Sequence, residues 1–490
     1  MTNKKFKLAA MSLATAVAVS TVGPSASAVT YYLGDGSVTV DKDVDRGAYS
    51  YQGEDGKRTY VNEDKEDKGT IYVKDGNAPT EEVLPTTDNS DNGTEVPTPT
   101  DNATQSTDSS GNNTENSSTS ETTTEKTITV MEDVKKTDKA DGTEGNDVKI
   151  VVEGVNVDTS TPTEVATDTE NTGDKTIIKV GEGANVDLTV KDSKLTTGGN
   201  GIDIGVDLDG KDENDENKET NVDLTLDHTE INLTEKDNTA GIVARDHSKV
   251  DVTLKGENTI DGKEALEDAA KEAEEAKKEG TSSPNRNVEG IRVGGENAGD
   301  DSSGEGASLT IKGDETSDQG SLNIDHTSTG MVISNDSDVT LTDNADVDIK
   351  HTEAGSSTQG GRGIVQRGDL TVEDKSSLTI DTVGSGAYKI DNDQEGLVYG
   401  NNGYGIDSTD DITVTGDSTL EIKGTQSSAI YGGTGSSLTV EDSTLDIDSK
   451  GRGIDYEGGA GDITFDNSEV NISGNGMGIS VASGGGTDIT

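Results

Sequence analysis

Leu438-Thr439-Val440-Glu441-Asp442-Ser443-Thr444-Leu445-Asp446-Ile447, followed closely by Gly451-Arg452-Gly453-Ile454, is the stretch on which the fold turns. Aliphatic and polar residues alternate within it. In an extended chain a period of two sends Leu438, Val440, Leu445 and Ile447 to one side and the Thr, Glu and Asp between them to the other. The preceding copy reads Ile412-Thr413-Val414, Ser418-Thr419-Leu420-Glu421-Ile422 and Ala429-Ile430-Tyr431. The following copy reads Ile463-Thr464-Phe465, Glu469-Val470-Asn471-Ile472 and Gly478-Ile479-Ser480-Val481, and Ile489 opens one more. The starts at 412, 438, 463 and 489 lie 26, 25 and 26 residues apart. Val148, Leu188, Leu224, Val252, Leu309, Val339 and Leu370 each begin an earlier apolar-polar-apolar triplet, with longer insertions between copies.

Three short strands and three turns per copy describe one coil of a parallel β-helix. Coils stack about 4.8 Å apart, with Val, Ile and Leu inside and Thr, Asp, Asn and Ser outside. One coil cannot cover its own inner face, so about ten coils must share a continuous core, each supported by its neighbours. Proline agrees with this reading. Of the 7 prolines, only Pro162 and Pro284 lie beyond residue 126, and both fall in insertions, where no ladder N–H is lost.

Composition narrows the function. The chain has 490 residues, 97 acidic and 40 basic, and a formal net charge of -57. Val, Ile, Leu and Phe make up roughly 19% of it, a level that predicts disorder when the residues are scattered. Their regular spacing overrides that prior. So acidic a surface repels nucleic-acid phosphates, so no nucleic-acid partner is expected. The absence of Cys excludes a disulfide framework, a zinc ribbon and a thiol nucleophile. Without Trp and with 3% aromatics, a large conventional globular core is not expected.

The chain opens with Lys4, Lys5 and Lys7, an apolar run from Leu8 to Val22, and Ala26-Ser27-Ala28. This is the pattern of a secretory signal peptide over residues 1–28, too short in its apolar part to span a bilayer. The mature protein is therefore expected to be secreted, at the cell surface or extracellular, and no later segment is apolar enough to span a membrane. Residues 29–76 hold six tyrosines in short alternating runs and predict a small Tyr-rich β module. Residues 77–126, rich in Thr, Ser, Asn and Pro, predict a disordered linker. Residues 127–490 form the β-helix, with acidic loops and a helical insertion at 262–280. That insertion has a weak stripe of Ala265, Leu266, Ala269, Ala270, Ala273 and Ala276, and Glu267–Lys271 and Glu274–Lys278 pairs at helical spacing. The chain halts at the first strand of a new coil, so further chain, carrying any C-terminal anchor, is expected beyond residue 490.

Three sets of residues could carry chemistry. Asp391, Asp393 and Glu395 place oxygen ligands on alternate residues before Gly396, the spacing a hard cation such as calcium needs. The twelfth position is Asn402, so the loop is not an EF-hand, and acidic turn residues also simply solvate strand ends. Tyr399, Tyr404, Tyr431 and Tyr456 sit beside glycines at or after the third strand of their coils. Rings along one edge could present a sugar-binding strip, or could cover turns and cap the core. Arg362 and Arg452 occupy matching Gly-Arg-Gly-Ile tetrapeptides, positioned either to meet acidic sugars or to pair with neighbouring Asp at a repeated corner. His228, His247 and His326 each follow an Asp and precede Thr or Ser, the context of turn residues. No Ser-His-Asp set or phosphate loop stands out.

The repeat grammar of Leu438–Val440, Ser443–Ile447 and Gly451–Ile454 resembles that of the right-handed parallel β-helix carbohydrate-binding domain family of secreted bacterial surface proteins. The resemblance covers about residues 127–490. It implies an all-β, right-handed parallel β-helix, polysaccharide or cell-surface glycan as partner, calcium as cofactor and no demonstrated catalysis. Adhesins and pectate-lyase-like enzymes share the grammar. The expected function is thus a non-catalytic surface protein that binds polysaccharide, with an adhesin or structural stalk binding a protein partner as the alternative. A β-helix polysaccharide lyase is third.

Overall fold

The computed structural model describes residues 29–33, 37–43, 48–52, 58–61, 70–75, 126–132, 134, 148–160, 175–208, 218–235, 238–279, 287–295, 306–314, 320–352, 361–381, 403–457, 461–474, 476–482 and 489–490. The stretches 1–28 and 77–125, expected as signal peptide and linker, lie outside them.

Each repeat contributes one strand to each of three sheets, of 12, 10 and 14 strands. Ten complete coils run from Val148–Glu153, Asn156–Asp158 and Ile178–Gly181 to Ile463–Asp466, Glu469–Gly474 and Ile479–Val481. All neighbouring strands within these coils pair in parallel, and the chain winds as a right-handed parallel β-helix. The first, second and third sheets are named here for the order of their strands within a coil.

Register follows the repeat. Ile412 pairs with Leu438, Leu438 with Ile463, and Ile463 bridges to Ile489. Val339, Leu370 and Ile412 continue the same column, as the triplets predict. The earlier coils differ by one inward residue. Leu309 aligns with Val250, and through it with Val222, Val186 and Val148, so the column there passes two residues before Leu188, Leu224 and Val252. An offset of two leaves the buried face unchanged. Inward Val, Ile and Leu from all three sheets form one continuous core cluster.

Two corners explain the polar half of the motif. Between the first and second strands, Asp192, His228, Gly256, Asp417, Asp442 and Asn467 take φ of 47–62°, the left-handed conformation that Gly, Asn and Asp enter most readily. A hydroxyl residue often follows, and its oxygen receives a backbone N–H from the coil before. Val155 donates to Ser193 Oγ at 3.2 Å, Ser418 to Ser443 Oγ at 3.2 Å and Ser443 to Ser468 Oγ at 3.3 Å. At the entry to the third strand stands a glycine column: Gly201, Gly241, Gly290, Gly330, Gly363, Gly405, Gly453 and Gly478, interrupted by Ala429. A methyl group on Gly201, Gly241 or Gly330 would sit 2.6, 2.8 and 2.7 Å from the carbonyl of the next member, so the recurrent glycine of the repeat marks close backbone approach.

The Tyr-rich segment at 29–74 pairs with these sheets. Val29–Tyr32 and Thr70–Lys74 join the first sheet, with Ile71 on Ile150. Val38–Asp43 pairs with Ile128–Val130 in the third sheet, and antiparallel Ala48–Gln52 and Arg58–Val61 extend that sheet's end. Tyr31, Leu33, Val38, Val40, Ile71 and Val73 belong to the same core cluster.

The helical insertion is a helix at Lys263–Glu279, packed on the strand Glu230–Leu233. Asp261 Oδ1 caps it by accepting the Lys263 N–H at 2.9 Å. Ala265, Leu266 and Ala269 are buried and Ala270 is exposed, so the described stripe is narrower than its spacing suggests. The ion pair made by Lys271 is to Asp268 at 2.6 Å, one turn in the i,i+3 direction. Among the described residues no helix is long and apolar enough to cross a membrane.

Candidate functional site

The three sheets do not present the same outer face. First-sheet and second-sheet strands such as Ser308–Lys312 and Ser321–Asp325 bury alternate residues. Third-sheet strands Thr239–Ala244 and Val288–Val293 bury every residue. The outward row of the third sheet runs Asp203, Val243, Arg292, Val332, Val365, Asp407, Tyr431 and Asp455 by register. Val243, Val332 and Val365 are buried there yet stand outside the central core cluster. Both corners that border this sheet vary in length, from the short turn 450–451 to the helix-bearing segment 262–287. The corner between the first and second strands is short in nearly every coil.

Charge is also distributed unequally. Every arginine with a described side chain, namely Arg245, Arg292, Arg362, Arg367 and Arg452, lies on the third-sheet face or at its exit. Lysines cross-link neighbouring coils of the other sheets, as in Lys149–Asp187, Lys194–Glu230 and Lys312–Asp251. Planar guanidinium suits a desolvated face, where it meets a carboxylate with two N–H groups at once. Arg245 does this to Asp203, Nε to Oδ1 at 2.8 Å and Nη2 to Oδ2 at 2.9 Å, and Asn200 Nδ2 donates to the same carboxylate at 2.8 Å. Arg292 Nε donates to Glu289 Oε2 at 2.6 Å, both groups being buried. Burial pushes the Glu289 carboxyl up, with Arg292 acting in the opposite direction.

Later coils add aromatic residues. Tyr404 and Tyr431 stack with ring centroids 4.7 Å apart and planes 15° apart. Asp407 lies beside them and binds Arg362 Nη1 at 3.1 Å and Arg367 Nη1 at 3.4 Å. Arg452 pairs with Asp455. Burial pushes the Tyr431 hydroxyl up, and its hydrogen bond to the Glu457 carboxylate adds to this. The Tyr404 hydroxyl is raised by burial and by Asp407, against a hydrogen bond with Ser427. Each stacked ring thus has one face covered by the other. The surface offers a two-ring stack with guanidinium and carboxylate groups around it, able to contact a polyhydroxylated chain by edge, hydroxyl and ionic contacts.

Of the residues singled out from sequence, Tyr404, Tyr431, Arg362 and Arg452 meet on this face. Tyr456 does not. Its neighbours in register are Gly432, Ser408 and Gln366, an inward column, and its ring is fully buried in the core. Space for it comes from Gly432, where any side chain would strike the ring. Tyr456 is therefore a core residue and offers no surface to a ligand. Tyr399, Asp391, Asp393 and Glu395 lie outside the described residues.

Sequence reasoning did not name Asp203, Asp407 and Asp455, the partners of Arg245, of Arg362 and Arg367, and of Arg452. A signal was present: each follows Gly-Ile, in Gly201-Ile202-Asp203, Gly405-Ile406-Asp407 and Gly453-Ile454-Asp455. It also missed a carboxylate column at the start of the first sheet, where Asp338 and Asp369 are register neighbours and Asp411 is next. Carboxylate oxygens of Asp369, Asp410 and Asp411 lie within 4.8 Å of one another, a set of hard oxygen donors. Burial raises the Asp410 carboxyl, with Asp369 adding to the shift, and burial followed by Asp410 raises that of Asp338.

Comparison of the chain with protein-family models, with curated proteins and with solved structures yields no match.

Proposed function

We propose that this chain is a secreted, non-catalytic surface protein whose β-helix binds polysaccharide along the outer face of the third sheet, centred on Tyr404, Tyr431, Arg362 and Arg452. The observation that supports it best is the gathering of the described arginines and the stacked tyrosines onto one face between corners of variable length. Extended polymers suit such a face, because parallel strands of successive coils line up the side chains of Asp407, Tyr431 and Asp455 in one row. Calcium enters the reading as the bridging cation for an acidic polymer, which so acidic a protein otherwise repels. Secretion is part of the same reading and rests on residues 1–28.

The test is a glycan array probed with the full chain, with calcium and with chelator, followed by calorimetry on the best ligand. Tyr431→Ala and Arg452→Ala should each weaken binding about tenfold, the scale of about 1.4 kcal/mol, while circular dichroism stays unchanged. Binding unaffected by both substitutions, or no binding to any glycan, would reject this face. Capture of a protein partner without glycan dependence would favour an adhesin instead.

A further inference from the structure

Four histidines occur in the chain, and all four have positive φ: His228 at 54°, His247 at 61°, His326 at 50° and His351 at 48°. Two of them are brought together by coil stacking. Asp325 pairs in register with Lys350, so the residues that follow, His326 and His351, occupy the same corner of consecutive coils. Their rings stack at 5.1 Å with planes 21° apart. Both Nδ1 atoms turn to one carboxylate: Asp325 Oδ1 lies 3.2 Å from His326 and 2.7 Å from His351. Asp261, the helix cap one coil earlier, places its Oδ1 3.2 Å from His326 Nδ1.

We infer that Asp325, His326 and His351 form a binding site for a divalent transition-metal ion of the zinc class. One ligand atom from each lies within 4.8 Å of the other two. Two imidazoles and a carboxylate are a borderline N/O donor set, which favours zinc, nickel or copper over calcium or magnesium. Tetrahedral zinc bonds of about 2.0–2.1 Å place ligand atoms about 3.3 Å apart, and Asp325 Oδ1 already lies 3.2 and 2.7 Å from the two imidazole Nδ1 atoms. The ligands are held before any ion arrives. The backbone N–H of His326 donates to Asp325 Oδ1 at 2.9 Å, and the left-handed turns fix where each imidazole leaves the chain. Asp261 supplies a further negative charge and a candidate fourth donor. Both histidines reach solvent, with side chains 27% and 55% exposed, so an ion has access. Binding would join the coils of His326 and His351 at their outer corner, next to the end of the inserted helix. This site is independent of the polysaccharide reading.

The experiment uses the full chain at about 0.15 M salt, where diffuse attraction to acidic surface is screened beyond about 8 Å. Titration with Co²⁺ and Zn²⁺ should give saturable binding that Ca²⁺ and Mg²⁺ in excess do not displace, with cobalt absorption diagnostic of imidazole ligation. His326→Asn and His351→Asn keep a residue suited to positive φ. Each should weaken binding by at least the roughly 10- to 100-fold that losing an outer-shell partner costs. A second readout needs no variant: diethyl pyrocarbonate modification followed by mass spectrometry. Zn²⁺ should protect His326 and His351 while His228 and His247 stay reactive. Equal protection of all four, no protection, or unchanged affinity in both variants would overturn the proposal.

Discussion

Ser308–Lys312 in the first sheet and Val288–Val293 in the third belong to neighbouring coils and are built from the same kinds of residue, yet their outer faces differ. In the first, Ser308, Thr310 and Lys312 remain partly exposed. In the second, Glu289 and Arg292 are buried together with the valines beside them. A repeat that encodes one inward face therefore leaves the other face open to separate use. On two sheets that face is a solvated ladder of Thr, Asp and Lys. On the third it is a layer of ion pairs and stacked rings, desolvated at Glu289 and Arg292 and partly exposed at Tyr404 and Tyr431.

The largest expected effect tests whether that layer is desolvated. Arg292→Ala leaves the Glu289 carboxylate buried without its partner and should destabilise the protein by about 3–5 kcal/mol, measured by denaturant unfolding. A loss below about 1 kcal/mol, the scale of an exposed pair, would erase the distinction between the two faces. The pH dependence sharpens it. A carboxyl raised in the folded state, as Glu289 is by burial, contributes stability that is full below its unfolded value and lost as pH rises through its folded one. Wild type should therefore gain stability over Glu289→Gln as pH falls from neutral into the weakly acidic range.

A smaller effect belongs to the glycine column that leads into the third sheet. Gly363→Val would bring a side chain within 2.5 Å of the Gly405 carbonyl oxygen and against Ile380, and should cost about 2–3 kcal/mol. Gly403→Ala, whose methyl would find nothing nearer than 3.7 Å, should stay within about 0.5 kcal/mol. Equal losses would mean that the column is not set by close approach. Smallest is Lys312→Ala, which removes the 3.3 Å pair with Asp251 on the open ladder. It should cost about 0–1 kcal/mol, and less at high salt.

The contrast also separates what was legible in the sequence from what was not. The inner face was legible because alternation is local: Leu438, Val440, Leu445 and Ile447 declare it within ten residues, and adding one period finds their partners. Outer-face pairs join residues of different coils, such as Arg362 with Asp407 and His326 with His351, and insertions of unequal length hide the equivalence. Tyr456 was misplaced for a related reason. Its neighbours in sequence suggest a turn, and only the coil below shows the room that Gly432 leaves for its ring. Aligning the copies that carry a Gly-Ile pair would have recovered Asp203, Asp407 and Asp455 as one family of positions.

The backbone bonds that join one coil to the next run along the length of the rod, and this governs how it answers force. A pull on the two ends of the chain would peel coils singly from an end, since each is bonded only to its immediate neighbours. With a spacing of 25–26 residues in the late coils, each event would release roughly 80–90 Å of extended chain. The late coils would then lengthen the molecule in near-equal steps under tension, the earlier ones in larger and unequal steps set by their insertions, while the unpeeled part stays intact.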